Sequence, residues 1–225
     1  MCYKINIMNI ALFDLDNTLI DGDSDYEWGN FLVENNFVDP DYYKRKNEAF
    51  FEQYREGTLC PKEFAKFSYE PLTKYDFEFL LNIRERFFKE KIKPIILSKA
   101  EDLVNLHRKN NDIIIIVTAT NSFISKLSAD YFKIENLLAT EPEFKDGKFT
   151  GELSGEPCFK EGKVNKVKNW LEENKHINFD DIYFYTDSHN DIKLLEFCTK
   201  PIAVDPDNIL KDVSEKNNWK IISLR

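Results

Sequence analysis

Four consecutive isoleucines in the stretch "DIIIIVTATN" constrain the fold of this chain more than any other feature. Branching at Cβ suits each of them to extended backbone, and successive side chains of a strand point to opposite faces. A run without polar alternates, Ile113 to Val117, therefore fits a strand covered on both sides, as central strands of parallel sheets are. Short apolar runs bounded by turn residues recur at Ile10 to Phe13, Ile182 to Tyr185, Ile202 to Val204 and Ile221 to Leu224, with helix-like segments between most of them. The expected fold class is α/β, a Rossmann-like parallel sheet with helices on both faces.

Between Ser24 and Lys93 the pattern changes to helix after helix. Ser24 with Glu27 reads as a capping box, Asp39-Pro40 and Thr73 through Asp76 as further helix starts, and Gly57 as a stop. Trp28, Phe31 and Leu32 fall at helical spacing, as do Phe50, Phe51 and Tyr54, and Phe77, Leu80 and Leu81. These 70 residues hold 17 of the chain's 32 aromatic rings, which predicts a small core of their own. The expected organisation is a core domain of residues 1–22 and 94–225 with an all-helical insertion over 23–93. Further on, "EPEFKDGKFTGEL" predicts a β-hairpin around Asp146-Gly147 that projects from the core's rim.

Charge and composition exclude some functions. The net charge of −9, from 31 basic and 40 acidic residues, argues against a sequence-independent grip on nucleic acid. The one compact basic run, Lys44-Arg45-Lys46, reads as a solvated helix face. No apolar segment approaches the ~20 residues that span a bilayer, and the N-terminus lacks a signal-peptide pattern, so a cytoplasmic protein without membrane partners is expected. Cys2, Cys60, Cys158 and Cys198 form no C-x-x-C pair and read as reduced packing residues. Nothing in the sequence specifies an oligomeric state.

The chemistry gathers where the predicted strands end. Asp14 and Asp16 follow the first strand, Thr118 the second, Lys163 opens the helix of "EGKVNKVKNWLEE", and Asp187 and Asp191 come just past another strand in "IYFYTDSHNDIKLL". Taken singly, each is also what a turn or a helix cap would use. Ligands of open parallel sheets bind at the carboxyl edge, however, and acids, a hydroxyl and a lysine there suit a phosphate held with Mg²⁺.

In that order, "FDLDNTL", "IIVTATN", "GK" and "YTDSHND" resemble the four motifs of the haloacid dehalogenase-like hydrolases, and Thr18 matches the Thr of their D-x-D-x-T signature. The insertion resembles the helical cap of the branch that contains phosphoserine phosphatase. The resemblance implies a Mg²⁺-dependent phosphatase acting on a small phosphorylated metabolite. Asp14 would be the nucleophile and Asp16 the general acid and base; Asp14, Asp187 and the Asp16 carbonyl would hold the metal, supported by Asp191. Thr118, Ala119, Asn121 and Lys163 would bind phosphate. Two other readings share some of these features. Phospho-receiver domains also phosphorylate an aspartate at a sheet edge, but without D-x-D or an inserted cap, and a phosphotransferase would use the same residues.

The resemblance extends to the substrate. Asp23, nine residues after Asp14, matches the carboxylate that holds the substrate ammonium in phosphoserine phosphatases. The turn Gly57-Thr58-Leu59 is kept, yet no arginine occurs from Glu56 to Ile83 to meet a substrate carboxylate, leaving Lys62 or Lys66 as substitutes. An amine without a carboxylate fits this departure better. Histidinol phosphate, hydrolysed by some members of the branch, is such a compound, and its imidazole is expected to stack on Trp28 or a neighbouring ring.

Overall fold

The computed structural model describes residues 8–225, so Cys2 lies outside the described residues. The isoleucine run forms β2 (Ile113–Asn121), paired in parallel with β1 (Ile10–Phe13) so that Ile10 faces Ile113 and Phe13 faces Ile116. On its other side β1 pairs with β6 (Ile182–Thr186). With β3 (Asn136–Thr140), β7 (Lys200–Val204) and β8 (Lys220–Ile222) they make one six-stranded sheet, ordered β3-β2-β1-β6-β7-β8 and parallel throughout.

Alternation along β1 shows why its run is wholly apolar. Ala11 and Phe13 enter the cluster on one face, while Ile10 and Leu12 enter a second cluster with Phe184, Leu194 and Leu210 on the other. Helices α5 (Ser98–Lys109) and α6 (Ser122–Phe132) contribute Val104 and Phe123 to the first cluster. The second takes Val167 from α7 (Glu161–Glu173), Leu194 from α8 (Ile192–Phe197) and Leu210 from α9 (Asn208–Asn217).

Four helices fill the insertion: α1 (Ser24–Glu34), α2 (Pro40–Arg55), α3 (Pro61–Lys74) and α4 (Phe77–Phe87). The chain enters and leaves it side by side: Ile20 bridges Ile96, and the Asp21 N–H donates to the Ile95 carbonyl at 2.7 Å. Its aromatic rings close no separate core, contrary to expectation. Trp28, Phe31 and Phe87 continue the cluster that holds Phe13 and Ile116, because the sheet face beneath α1 and α4 is itself apolar and the two surfaces bury each other. Trp28, 1% exposed, meets Phe87 edge-on at 5.1 Å and is therefore not a ring available to substrate.

Local details refine the reading. Asp23, not Ser24, caps α1, accepting the Tyr26 N–H at 2.8 Å, because the Ser24 hydroxyl is engaged with Thr120. Asp39 and Asp76 cap α2 and α4, while Thr73 lies within α3. The hairpin of β4 (Pro142–Lys145) and β5 (Lys148–Leu153) turns at Asp146 (φ 49°) and Gly147 (φ 79°), the left-handed pair that a two-residue turn requires. Rather than standing free, it buries Phe149 against Phe77 and Phe123. Strand β3 escapes the sequence pattern, since a five-residue edge strand with partly exposed residues carries neither a long apolar run nor clean alternation. Cys158 and Cys198 are buried packing residues, but Cys60 is exposed, because it stands just outside the first turn of α3. Among the described residues, no helix is long and apolar enough to cross a membrane.

Candidate active site

The sheet's carboxyl edge brings Asp14, Asp16, Thr118, Lys163, Asp187 and Asp191 together. The chain leaves β1 with the Asp14 N–H still bonded to the Tyr185 carbonyl at 2.9 Å, then turns at Asn17, whose left-handed φ of 53° suits asparagine. Thr18, fully buried by that turn, aims its hydroxyl at Asp187 Oδ1, 3.4 Å away. Lys163 Nζ donates to Asp14 Oδ1 at 2.8 Å and to Asp191 Oδ2 at 2.7 Å, and Thr186 donates to the same Asp191 oxygen. The glycine before Lys163 has a steric cause: a Cβ on Gly162 would lie 1.9 Å from the Pro157 carbonyl oxygen. Only a bare Cα lets the first turn of α7 pass that close and send Lys163 inward.

Asp16 is held from two sides, its Oδ1 by the Ser24 N–H at 2.7 Å and its Oδ2 by the Thr120 hydroxyl at 2.7 Å. Thr120 was not singled out from the sequence, although it stands in "TATN", and it binds Asp16 more closely than Thr118 does at 3.5 Å. Thr118 is not beyond the second strand, as expected, but inside β2, where the pairing with β3 shifts register between Val117 and Asn121. Ala119 lines the pocket. The Asn121 side chain is occupied in positioning: its Oδ1 caps α6 at the Ile124 N–H, and its Nδ2 donates to Asp25 at 3.1 Å.

Above these groups the inserted helices close a pocket. Asp14, Asp16, Asp23 and Asp25 form its polar end, and Phe50, Phe51, Phe64, Tyr54, Tyr69 and Phe159 supply its rings. Among the described residues, no lysine, arginine or histidine lines it. Lys62 and Lys66 face a separate cleft beside Gly151 and Glu152. The core also grips the insertion at this rim, where Asn190 Nδ2 donates to the Tyr54 carbonyl at 3.1 Å and Lys160 Nζ to the Gly57 carbonyl at 2.6 Å.

Burial sets the electrostatics. It pushes the Asp14 carboxyl up to about 7 against the pull of Lys163, with Asp191 and Asp16 adding to the rise. Burial, with Asp16 beside it, also takes Asp23 up to about 7, and burial with Asp14 and Asp191 holds Asp187 well above the usual carboxylate range. Lys163 opposes its own burial through Asp14 and Asp191 and is pushed up, so it keeps its proton.

These donors fit Mg²⁺. Asp14, Asp16, Asp187 and Asp191 stand at one sheet edge, Lys163 meets only Asp14 and Asp191, and hard oxygen donors of this kind, one or two carboxylates with retained waters, are what Mg²⁺ takes.

A pH dependence follows. Between 3.8 and about 7 the folded protein binds more protons at Asp14 and Asp23 than the unfolded chain does. Stability from these groups is fully present below the unfolded value and declines as pH rises through about 7. In chelator, Tm is expected to fall over that window, and Mg²⁺ to raise Tm more at pH 8 than at pH 5. Equal Mg²⁺ shifts at both pH values, read by scanning calorimetry, would contradict this account of the acids.

The model of the haloacid dehalogenase-like hydrolases matches residues 11–196, from β1 through Asp14, Lys163 and Asp191 into α8. The chain belongs to that family. A phosphatase of this family is an enzyme that hydrolyses phosphoric monoesters, and the match is to that family. A histidinol-phosphatase of Neisseria meningitidis serogroup C (strain 8013) is 36% identical over 220 residues, covering 96% of this chain and 99% of that protein. A protein of unknown function from Bordetella pertussis Tohama I superposes with a TM-score of 0.91 at 38% identity, over 97% of this chain and 100% of that one. A substrate-bound phosphoserine phosphatase shares the fold, with a TM-score of 0.69 at 18% identity over 91% of this chain and 90% of that one.

Proposed function

We propose that this phosphatase hydrolyses histidinol phosphate through an aspartyl-phosphate on Asp14. The observation that carries the reading is the pocket's charge: three acids, Asp16, Asp23 and Asp25, face aromatic rings, and no described basic side chain lines the space. A substrate carboxylate would find no cation there, whereas an ammonium would meet acids whose ionised form it favours and an aromatic ring would meet other rings. The similarity to a histidinol-phosphatase supports the same choice. In this reading residues 1–22 and 94–225 are the catalytic core and 23–93 the cap.

An oxygen of Asp14 attacks phosphorus as the bond from phosphorus to the substrate oxygen breaks, and Asp16, as general acid, gives a proton to the leaving alkoxide. The Asp16 carboxylate then takes a proton from water, whose oxygen attacks the same phosphorus and frees Asp14 and phosphate. Ser24 and Thr120 keep Asp16 aimed, and Lys163 neutralises charge on Asp14 and the phosphoryl oxygens. Thr118 and the Ala119 N–H receive the remaining phosphoryl oxygens. Asp14, Asp187 and the Asp16 carbonyl would hold Mg²⁺, which would supply positive charge to offset repulsion between nucleophile and phosphate. Asp191 holds Lys163 in place.

The test is a side-by-side assay of histidinol phosphate and phosphoserine with Mg²⁺ at pH 7. A kcat/KM at least about tenfold higher for histidinol phosphate is expected, the worth of one ill-matched charge at roughly 1.4 kcal/mol. A tenfold preference for phosphoserine would overturn the assignment.

A further inference from the structure

The pocket holds groups beyond those that phosphoryl transfer and the Asp23 contact use. Asp25, in the first turn of α1, is turned into the pocket and oriented by the Asn121 amide at 3.1 Å. Tyr69 of α3 is 2% exposed and lines the same pocket, and among the described residues its hydroxyl makes no hydrogen bond. That hydroxyl is not among the fully buried polar atoms without a partner, so it keeps access to the space of the pocket, where a ligand can meet it. Burial raises the Tyr69 phenol, and Asp25 is the first of the charges that add to the rise, which agrees with the two groups facing one space. Phe50 of α2 supplies an apolar wall beside them.

We propose that Asp25 and Tyr69 form a second polar subsite that binds a nitrogen heteroaromatic ring of the substrate, apart from the ammonium contact of Asp23. This rests on the histidinol phosphate reading and says which residues distinguish that ring from a benzene ring. A neutral imidazole carries one N–H donor and one nitrogen acceptor. A carboxyl oxygen of Asp25 accepts the N–H, the Tyr69 hydroxyl donates to the other nitrogen, and Phe50 covers a face. A phenyl ring of similar size offers neither bond and leaves both protein groups unpaired, and the strongest selectivity arises in that way.

Inhibition by the phosphate-free alcohols isolates this subsite from the chemistry. Histidinol and phenylalaninol, which differ in the ring, are compared as inhibitors of p-nitrophenyl phosphate hydrolysis in the wild type, Asp25→Asn and Tyr69→Phe. The wild type is expected to bind histidinol about tenfold more tightly, and the ratio to shrink to within about twofold in the variants. Both substitutions are nearly isosteric and lie on different helices, so one variant failing to fold leaves the other to decide. Collapse of the ratio in a folded variant supports the subsite. No ring preference in the wild type, or a full preference surviving in the folded variants, overturns it. Failure of the substrate reading shows separately, as a preference for phosphoserine between the two esters.

Discussion

Asp14→Asn is expected to lower kcat by on the order of 10³-fold or more for every phosphate ester, with the protein still folded. An amide is too weak a nucleophile to form the proposed acyl-phosphate. The fold should tolerate the change well. The amide oxygen can keep the hydrogen bond from Lys163, 2.8 Å away in the wild type, and Lys163 retains Asp191 as a charged partner. Burial has already pushed the Asp14 carboxyl up to about 7, so above that pH the substitution removes an ionised group the interior disfavours. Urea unfolding at pH 8 is expected to show stability equal to or above the wild type. Phosphate release within tenfold of the wild-type rate would remove Asp14 from its role as nucleophile.

Lys163→Met carries the largest expected loss of stability. Lys163 is 1% exposed and is the one charge placed between the buried carboxylates of Asp14 and Asp191, at 2.8 and 2.7 Å. Removing one member of a buried ion pair leaves the other uncompensated, at a cost of about 3–5 kcal/mol. Here two carboxylates are left facing each other. Methionine keeps the length and apolar stem of lysine, so the loss reports charge rather than a cavity. Adding Asp191→Asn to Lys163→Met is expected to recover about 1–3 kcal/mol, because the two residues are in contact and their effects are not additive. A single-variant loss below about 1 kcal/mol by urea unfolding would mean that the lysine is not the counter-charge of this cluster. Turnover is expected to vanish in both variants.

Much of the fold was legible because periodicity records burial directly. Ile113 to Val117 announced a strand covered on both faces, and β2 lies between β1 and β3 with helices on either side. Asp39-Pro40 and Asp146-Gly147 were legible because a cap and a left-handed turn depend on only a few neighbouring residues. The capping box failed for a long-range reason: Ser24 has the local chemistry of a cap, but Thr120, 96 residues away, engages its hydroxyl. Strand β3 was missed because an edge strand's pairing depends on its neighbour more than on its own pattern.

The sequence by itself determined the reaction class, since D-x-D, Thr118, Gly-Lys and the final Asp cluster fall at strand and helix ends in one order, and those ends meet at one sheet edge whatever the insertion does. Only the tertiary structure decided what surrounds the reacting groups. It placed Trp28 in the core and Tyr69 at the pocket, sent Lys62 and Lys66 to another cleft, and set Asn121 to hold Asp25. The physical reason is that a strand or helix end is specified by neighbours within a few residues, whereas the lining of a pocket depends on how several helices pack. A ring at helical spacing carries the same signal in a core as in a binding site, and packing alone separates the two.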